Sequence, residues 1–121
     1  MLNTLIGFIP ITDADRTRNF YVNVLKLEFV EDDQFAIVLR SGANMVRLVR
    51  MGGFTPAGYT ILGWEVSDIH STVQELAAAG VSFLRYAWIK QDDAGIWTTP
   101  SNAMVAWFND PDGNVLSVSQ H

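Results

Sequence analysis

The chain says the same thing twice. "IPITDADRTRNFYVNVLKLEF", beginning at Ile9, and "WEVSDIHSTVQELAAAGVSF", beginning at Trp64, each run as an apolar segment, an aspartate, an amphipathic segment, a short break and a second apolar segment. Asp13 corresponds to Asp68 at an offset of 55, and Phe29 to Phe83 at an offset of 54. The second copy is therefore one residue shorter, in the helix or in the turn after it. Internal repetition narrows the fold strongly, because both copies must bury the same apolar pattern in the same way.

Thr12-Asp13 and Ser67-Asp68 are helix-opening chemistry, since a short side-chain oxygen accepts the free amides of a first turn. After Asp68, the residues Ile69, Val73, Leu76, Ala77 and Gly80 follow helical spacing, and after Asp13 so do Ala14, Phe20, Tyr21, Val24 and Leu25. Gly80 suits a helix end, and the equivalent break in the first copy falls near Lys26. The spacing predicts strands over Thr4 to Thr12, Leu27 to Asp32, Phe35 to Arg40 and Met45 to Met51 in the first half. It predicts Tyr59 to Ser67, Val81 to Tyr86, Met104 to Asn109 and Asn114 to Gln120 in the second. "EDDQ", "SGAN" and "DPDG" are turns between them. Pro10 places the first strand at an edge or a bulge, because proline cannot donate to a ladder. The expected fold class is α+β: two βαβββ modules, 1–51 and 59–121, joined by "GGFTPAG" at 52–58 within a single 121-residue domain.

The bulk numbers exclude several functions. Charged residues make up 17% of the chain, the net charge is −5, and the eight basic residues are scattered. Phosphate backbones require clustered Lys and Arg, so no nucleic-acid partner is expected. An acidic surface could instead attract a cationic ligand. With no cysteine, disulfides, thiolate zinc sites, iron–sulfur clusters and a cysteine nucleophile are all unavailable. No apolar run approaches the ~20 residues that cross a bilayer, and "MLNTLIGFIPITDAD" has neither a basic region nor a cleavage-site pattern. The expectation is a cytoplasmic protein without a membrane partner.

"ITDADRTRNFYVNVLKLEF", "WEVSDIHSTVQELAAAGVSF" and "FNDPDGNVLSVSQ" together resemble the two helix signatures and the last hairpin of the vicinal oxygen chelate superfamily. That superfamily includes glyoxalase I, extradiol dioxygenases, and the bleomycin and fosfomycin resistance proteins. The resemblance implies two βαβββ modules whose curved sheets form a partly open barrel around a small-molecule cleft, commonly with a divalent metal held by four strands. Carried over by motif, the ligand positions are Ile6, Ile61, Ser117 and, near the fourth strand, Arg47. Isoleucine offers no lone pair, serine is a poor ligand and arginine repels a cation. The expectation is no metal and no cofactor. His70, in the first turn of the second helix, is expected to face solvent, and His121 to fray at the terminus.

Strand parity then assigns the lining of that cleft. Ile6 and Phe8 come from the first strand, with Pro10 following the same parity. Met45 and Arg47 come from the fourth, with Val49 following. Ile61 and Glu65 come from the fifth, with Gly63 between them, and Ser117 and Ser119 from the last, where Val115 shares their parity. Each has two readings. Ser117 either lines the cleft or fills a collapsed core. Arg47 either anchors a carboxylate or phosphate or lies on a rim with its head in water. Glu65 is either a general base or the neutralising partner of Arg47, while Trp64 has the parity of the core. The irregular stretch "AWIKQDDAGIWTTPSNA", Ala87 to Ala103, carries Trp88 and Trp97, which serve as cleft walls or as a subunit contact. Asp92 and Asp93 read as turn residues.

Three functional classes remain. The first is a metal-independent small-molecule binding protein with its ligand in an apolar cleft. The resemblance supplies a parallel, since bleomycin resistance proteins are metal-free dimers that bind a bulky cationic drug. The second is a lyase-, isomerase- or dioxygenase-like enzyme acting on a small anionic substrate, with Arg47 and Glu65 as the catalytic candidates. The third is a closed interaction module with its interior filled. A homodimer is implied by the resemblance in each case.

Overall fold

Both helices open where the aspartates stand. In a computed structural model describing residues 1–121, Asp13 Oδ1 accepts the Arg16 amide and Asp68 Oδ1 accepts the Ser71 amide, each at 3.2 Å. Each carboxylate thereby satisfies a first-turn donor that has no partner within its helix. Helix α1 spans Ala14–Asn19 and continues as a π-helical turn over Phe20–Val24, whereas α2 spans Ile69–Ala78.

The one-residue difference between the copies lies in that π turn. Helix α2 closes with Gly80 N–H donating to Ala77 O and Val81 N–H to Leu76 O, both at 3.0 Å, with Gly80 at φ +99°. The first copy closes with Leu27 N–H donating to Tyr21 O at 3.0 Å, and Lys26 takes the left-handed position at φ +65°. That closure reaches one residue further back. A π turn holds one more residue than an α turn, so the first copy carries an insertion that leaves its two ends in place.

The chain divides into two compact units, Met1–Pro56 and Ala57–His121. In the first, strands β1 (Ile6–Ile11), β2 (Glu28–Asp32), β3 (Ala36–Ser41) and β4 (Asn44–Arg50) form a sheet in the order β1-β4-β3-β2. β1 runs parallel to β4 and the remaining pairs are antiparallel. Pro10 sits in β1 at the sheet edge, as its missing donor requires. Ile9, Ile11, Ile37, Leu39, Val46 and Leu48 share one face and are buried together with Thr17 and Tyr21 of the helical segment.

In the second unit, β5 (Thr60–Glu65), β6 (Trp97–Thr98), β7 (Met104–Asn109) and β8 (Val115–Gln120) lie in the order β5-β8-β7-β6. Its core holds Ile69, Val73, Ala106, Phe108, Leu116 and Val118. The predicted strands hold to within a residue or two at their ends, with Phe35 to Arg40 and Met45 to Met51 each displaced by one residue and Met104 to Asn109 unchanged, and one prediction fails. Val81 to Tyr86 is not a strand. Only Phe83 bridges to Phe108, and Leu84 N–H donates to Trp107 O at 2.8 Å. Leu84 O then accepts from Gln91 Nε2 at 2.9 Å, and Tyr86 N–H donates to Gln91 Oε1 at 2.8 Å. A side chain has taken the groups a ladder would have used. The chain leaves the sheet there and returns as β6, opposite Met104 and Val105. The stretch read as the least regular therefore contains one edge strand of this sheet, β6.

Candidate functional site

In the first unit, parallel pairing sets Ile6 beside Met45 and Phe8 beside Arg47 on the face opposite the core. Ile6 and Phe8 are 53% and 64% exposed. Arg47 is not a free anchor. Its Nη2 lies 2.8 Å from Asp33 Oδ2, in the "EDDQ" turn, where Asp33 Oδ1 also accepts the Phe35 and Ala36 amides at 3.0 and 2.8 Å. The Ala36 amide, followed by the Arg47 guanidinium, holds the Asp33 carboxyl below its ordinary value of 3.8. Next to it, Arg50 grips both oxygens of Asp32 at 2.9 and 2.8 Å, lowering that carboxyl and raising the guanidinium. The partner that neutralises Arg47 is Asp33, not Glu65. Sequence parity missed this because a turn residue has no strand register.

In the second unit, β5 and β8 pair Gly63 with Ser117 and Glu65 with Ser119. β7 adds Trp107 opposite Ser117 and Val105 opposite Ser119, and β6 adds Trp97 opposite Val105. Trp64 pairs with Val118 on the core face and is half-buried. Ile61 departs from the expected register: Thr60 pairs with Val115 and Leu62 with Leu116, which leaves Ile61 as the extra residue of a bulge. Ser117 is 9% exposed. It fits because its neighbour is a glycine: a Cβ on Gly63 would stand 2.5 Å from Ser117 Oγ. Ser119 Oγ lies 3.1 Å from His121 Nε2, so the last residue is engaged with its own strand. His70 is exposed, as expected.

The register of the last hairpin is set by "DPDGN". Asp110 Oδ1 accepts the Asp112 and Asn114 amides at 2.9 and 3.0 Å, and Asn114 Nδ2 donates to Asp110 Oδ2 at 2.9 Å. Both residues are buried. This closure puts Trp107 against Ser117, and around Trp107 an aromatic pocket forms. Tyr59, Tyr86, Trp88, Trp97 and Trp107 line it with Gly58, Thr60 and Ile89 around an open cleft of about 270 Å³. Ring centroids lie 4.6 Å apart for Tyr86–Trp88, 5.4 Å for Tyr86–Trp107 and 6.0 Å for Trp97–Trp107.

Gln91 fixes the excursion that carries Trp88. Besides its two bonds to Leu84 and Tyr86, its Nε2 donates to Gly95 O at 2.8 Å. Asp92 Oδ1 accepts the Ala94 and Ile96 amides at 3.0 and 2.8 Å, which makes it a turn residue. Of the residues singled out by sequence, Trp88 and Trp97 enter this pocket. Tyr59, Tyr86 and Trp107 were missed. Trp107 was within reach, since counting outward from the "DPDG" turn places it opposite Ser117.

Of the metal-ligand positions implied by the resemblance, Ile6 and Arg47 lie in the first unit and Ile61 and Ser117 in the second, and none carries a side chain suited to a divalent ion. No three His, Asp or Glu side chains converge elsewhere to hold one. No helix is long and apolar enough to cross a membrane.

Two four-stranded sheets of β1-β4-β3-β2 type, each with its helix, define the glyoxalase-like class of α+β proteins. The chain belongs to the Glyoxalase/Bleomycin resistance protein/Dioxygenase superfamily, whose family model matches residues 4–118. Among solved structures it is similar to a member of that superfamily from Sphaerobacter thermophilus, with 24% identity and TM-score 0.78 over 100% of this chain and 98% of that one. It is also similar to lactoylglutathione lyase from Agrobacterium tumefaciens, with 15% identity and TM-score 0.76 over 99% and 94% of the two chains. A third is TnmS3, an antibiotic binding protein from Streptomyces sp. CB03234, with 18% identity and TM-score 0.70 over 99% and 96%. No curated protein matches the chain.

Proposed function

We propose that this chain is a metal-independent small-molecule binding protein whose ligand is held by apolar and aromatic side chains. The observation that carries this reading is the aromatic pocket of about 270 Å³, with its wall of contacting rings and few polar groups. Such a composition binds by shape and orients its ligand through a few hydrogen bonds. Side chains unsuited to ligating a divalent ion at every implied metal position agree with it, and so does the fold shared with an antibiotic binding protein. The enzyme reading has less support. Arg47 would anchor an anionic substrate and Glu65 would act as base, but the Arg47 guanidinium is committed to Asp33 at 2.8 Å.

Ser117 and Ser119 share the sheet face of Trp107 and Trp97 and extend this lining within the second unit. The working form is a homodimer, supported by the exposed apolar side chains of edge strand β1. The test is a titration of tryptophan fluorescence against a broad small-molecule library, before and after dialysis against a chelator, with elemental analysis of the same sample. Saturable quenching that survives chelation is expected. A stoichiometric transition metal, or binding lost with the chelator, overturns the proposal.

A further inference from the structure

The walls of the aromatic pocket differ from those of a general apolar cavity, and they define what enters. Resting on the small-molecule reading above, we propose that this pocket selects a flat aromatic ring system free of negative charge. The planes of Trp97 and Trp107 are inclined by 27°, Tyr86 meets Trp107 edge-on at 84°, and Trp88 leans over Tyr86 at 42°. Rings at these inclinations around one cleft make an aromatic wall, and another aromatic ring packs on such a wall by face or by edge. A rounded aliphatic ligand touches such walls with few atoms and loses the close packing that dispersion requires.

Charge narrows the class further. Apart from two phenols, the lining Gly58, Tyr59, Thr60, Tyr86, Trp88, Ile89, Trp97 and Trp107 contains no ionisable side chain. A carboxylate or phosphate entering there would shed its water with no cation to pair with, facing the negative faces of the rings. The chain's net charge of −5 acts in the same direction at longer range. Size sets the last limit. About 270 Å³ falls just below the roughly 300–1,000 Å³ of drug-sized pockets, so the space suits a fused ring portion, with any larger remainder of the ligand outside.

Trp88 is 77% exposed although it borders the pocket and contacts Tyr86. Its indole is positioned as the wall that a bound ring would cover. That exposure also makes it replaceable without touching the core.

The experiment is calorimetric titration of the full chain with 2-naphthol, 2-naphthoate and 1-adamantanol, repeated on Trp88→Ala, Trp88→Phe and Tyr59→Ala variants of verified circular dichroism. The expected result is saturable binding of 2-naphthol, with 2-naphthoate and 1-adamantanol at least roughly tenfold weaker. Trp88→Ala should weaken 2-naphthol by roughly tenfold, and Trp88→Phe should restore most of it. Equal affinity for 1-adamantanol, or tighter binding of 2-naphthoate, overturns the flat-ring inference and leaves the small-molecule reading standing. Binding of 2-naphthol that ignores both Trp88→Ala and Tyr59→Ala also overturns it, since the site then lies elsewhere. If neither these probes nor the library binds, both proposals fall.

Discussion

Two residues on neighbouring strands, Gly63 and Ser117, show how narrowly one side chain depends on the absence of another. A methyl group on Gly63 would stand 2.5 Å from Ser117 Oγ, while the nearest backbone atom is 3.5 Å away. The clash therefore falls on a short side chain that can be removed. Gly63→Ala is expected to lower stability by about 1–2 kcal/mol, and adding Ser117→Ala should recover most of that loss. A double-mutant cycle in urea measures the coupling, and additive losses would contradict the geometry. Asp32 and Asp33 make a second prediction, from pH. Both carboxyls are held below 3.8 in the folded chain. Their stabilising contribution is complete above that value and is lost as pH falls through the lowered folded-state values. Acid unfolding should begin below about pH 4, and Asp33→Asn should flatten that limb while leaving the neutral-pH plateau nearly unchanged in slope. Both partners are at the surface, so added salt should weaken the effect.

At the scale of elements, the two copies solve helix termination with different residues. Gly80 takes φ +99° without a Cβ penalty, whereas Lys26 takes φ +65° with one. Lys26→Gly is expected to raise stability by about 0.5–1 kcal/mol, and Gly80→Ala to lower it by about 1–2 kcal/mol, read from thermal unfolding. The caps, the Ile69 and Val73 stripe of α2, the alternation of Ile9 and Ile11 against Ile6 and Phe8, and the "DPDGN" hairpin were legible in the sequence, each encoded within a few residues. Phe20, Tyr21, Val24 and Leu25, expected at α-helical spacing, instead lie in or beside the π turn. What was not legible depends on partners distant in sequence or on a side chain replacing backbone. The missing strand at Val81 to Tyr86 results from Gln91, whose amide takes Leu84 O and the Tyr86 amide. The bulge at Ile61 shifts β5 by one residue, and no local pattern announces it. The aromatic pocket gathers Tyr59, Tyr86 and Trp107 from three separate stretches, so periodicity could supply its members only where a hairpin fixed the register. Gln91 also gives an element-level prediction. Gln91→Ala should abolish amide-exchange protection over residues 84–96 while protection in β7 and β8 persists. It should also weaken 2-naphthol, because Trp88 and Trp97 lose their fixed spacing.

For the molecule as a whole, the decisive surface is edge strand β1. Proteins normally blunt an exposed edge with charge, proline or a covering element. Here Pro10 guards one end, but Ile6 and Phe8 remain 53% and 64% exposed, and Leu5 just before the strand is 72% exposed. The proposed homodimer would cover these side chains, which cluster at the start of β1. A second copy is the simplest cover, and twofold symmetry then counts each contact twice. Burying one phenylalanine contributes about 1.5–3 kcal/mol, so a symmetric pair of Phe8 contacts is worth roughly 3–6 kcal/mol, or two to four orders of magnitude in dissociation constant. That contribution alone is below the roughly 8 kcal/mol of micromolar association, so the other apolar contacts of this edge must supply the rest; the homodimer then gives twice the 13.5 kDa chain mass in light scattering. Phe8→Asp should give the single-chain mass with the fold retained, because Phe8 lies outside the buried core of its unit. Wild-type protein that remains a single chain at high concentration would leave this apolar edge without its cover and would remove the homodimer from the proposal.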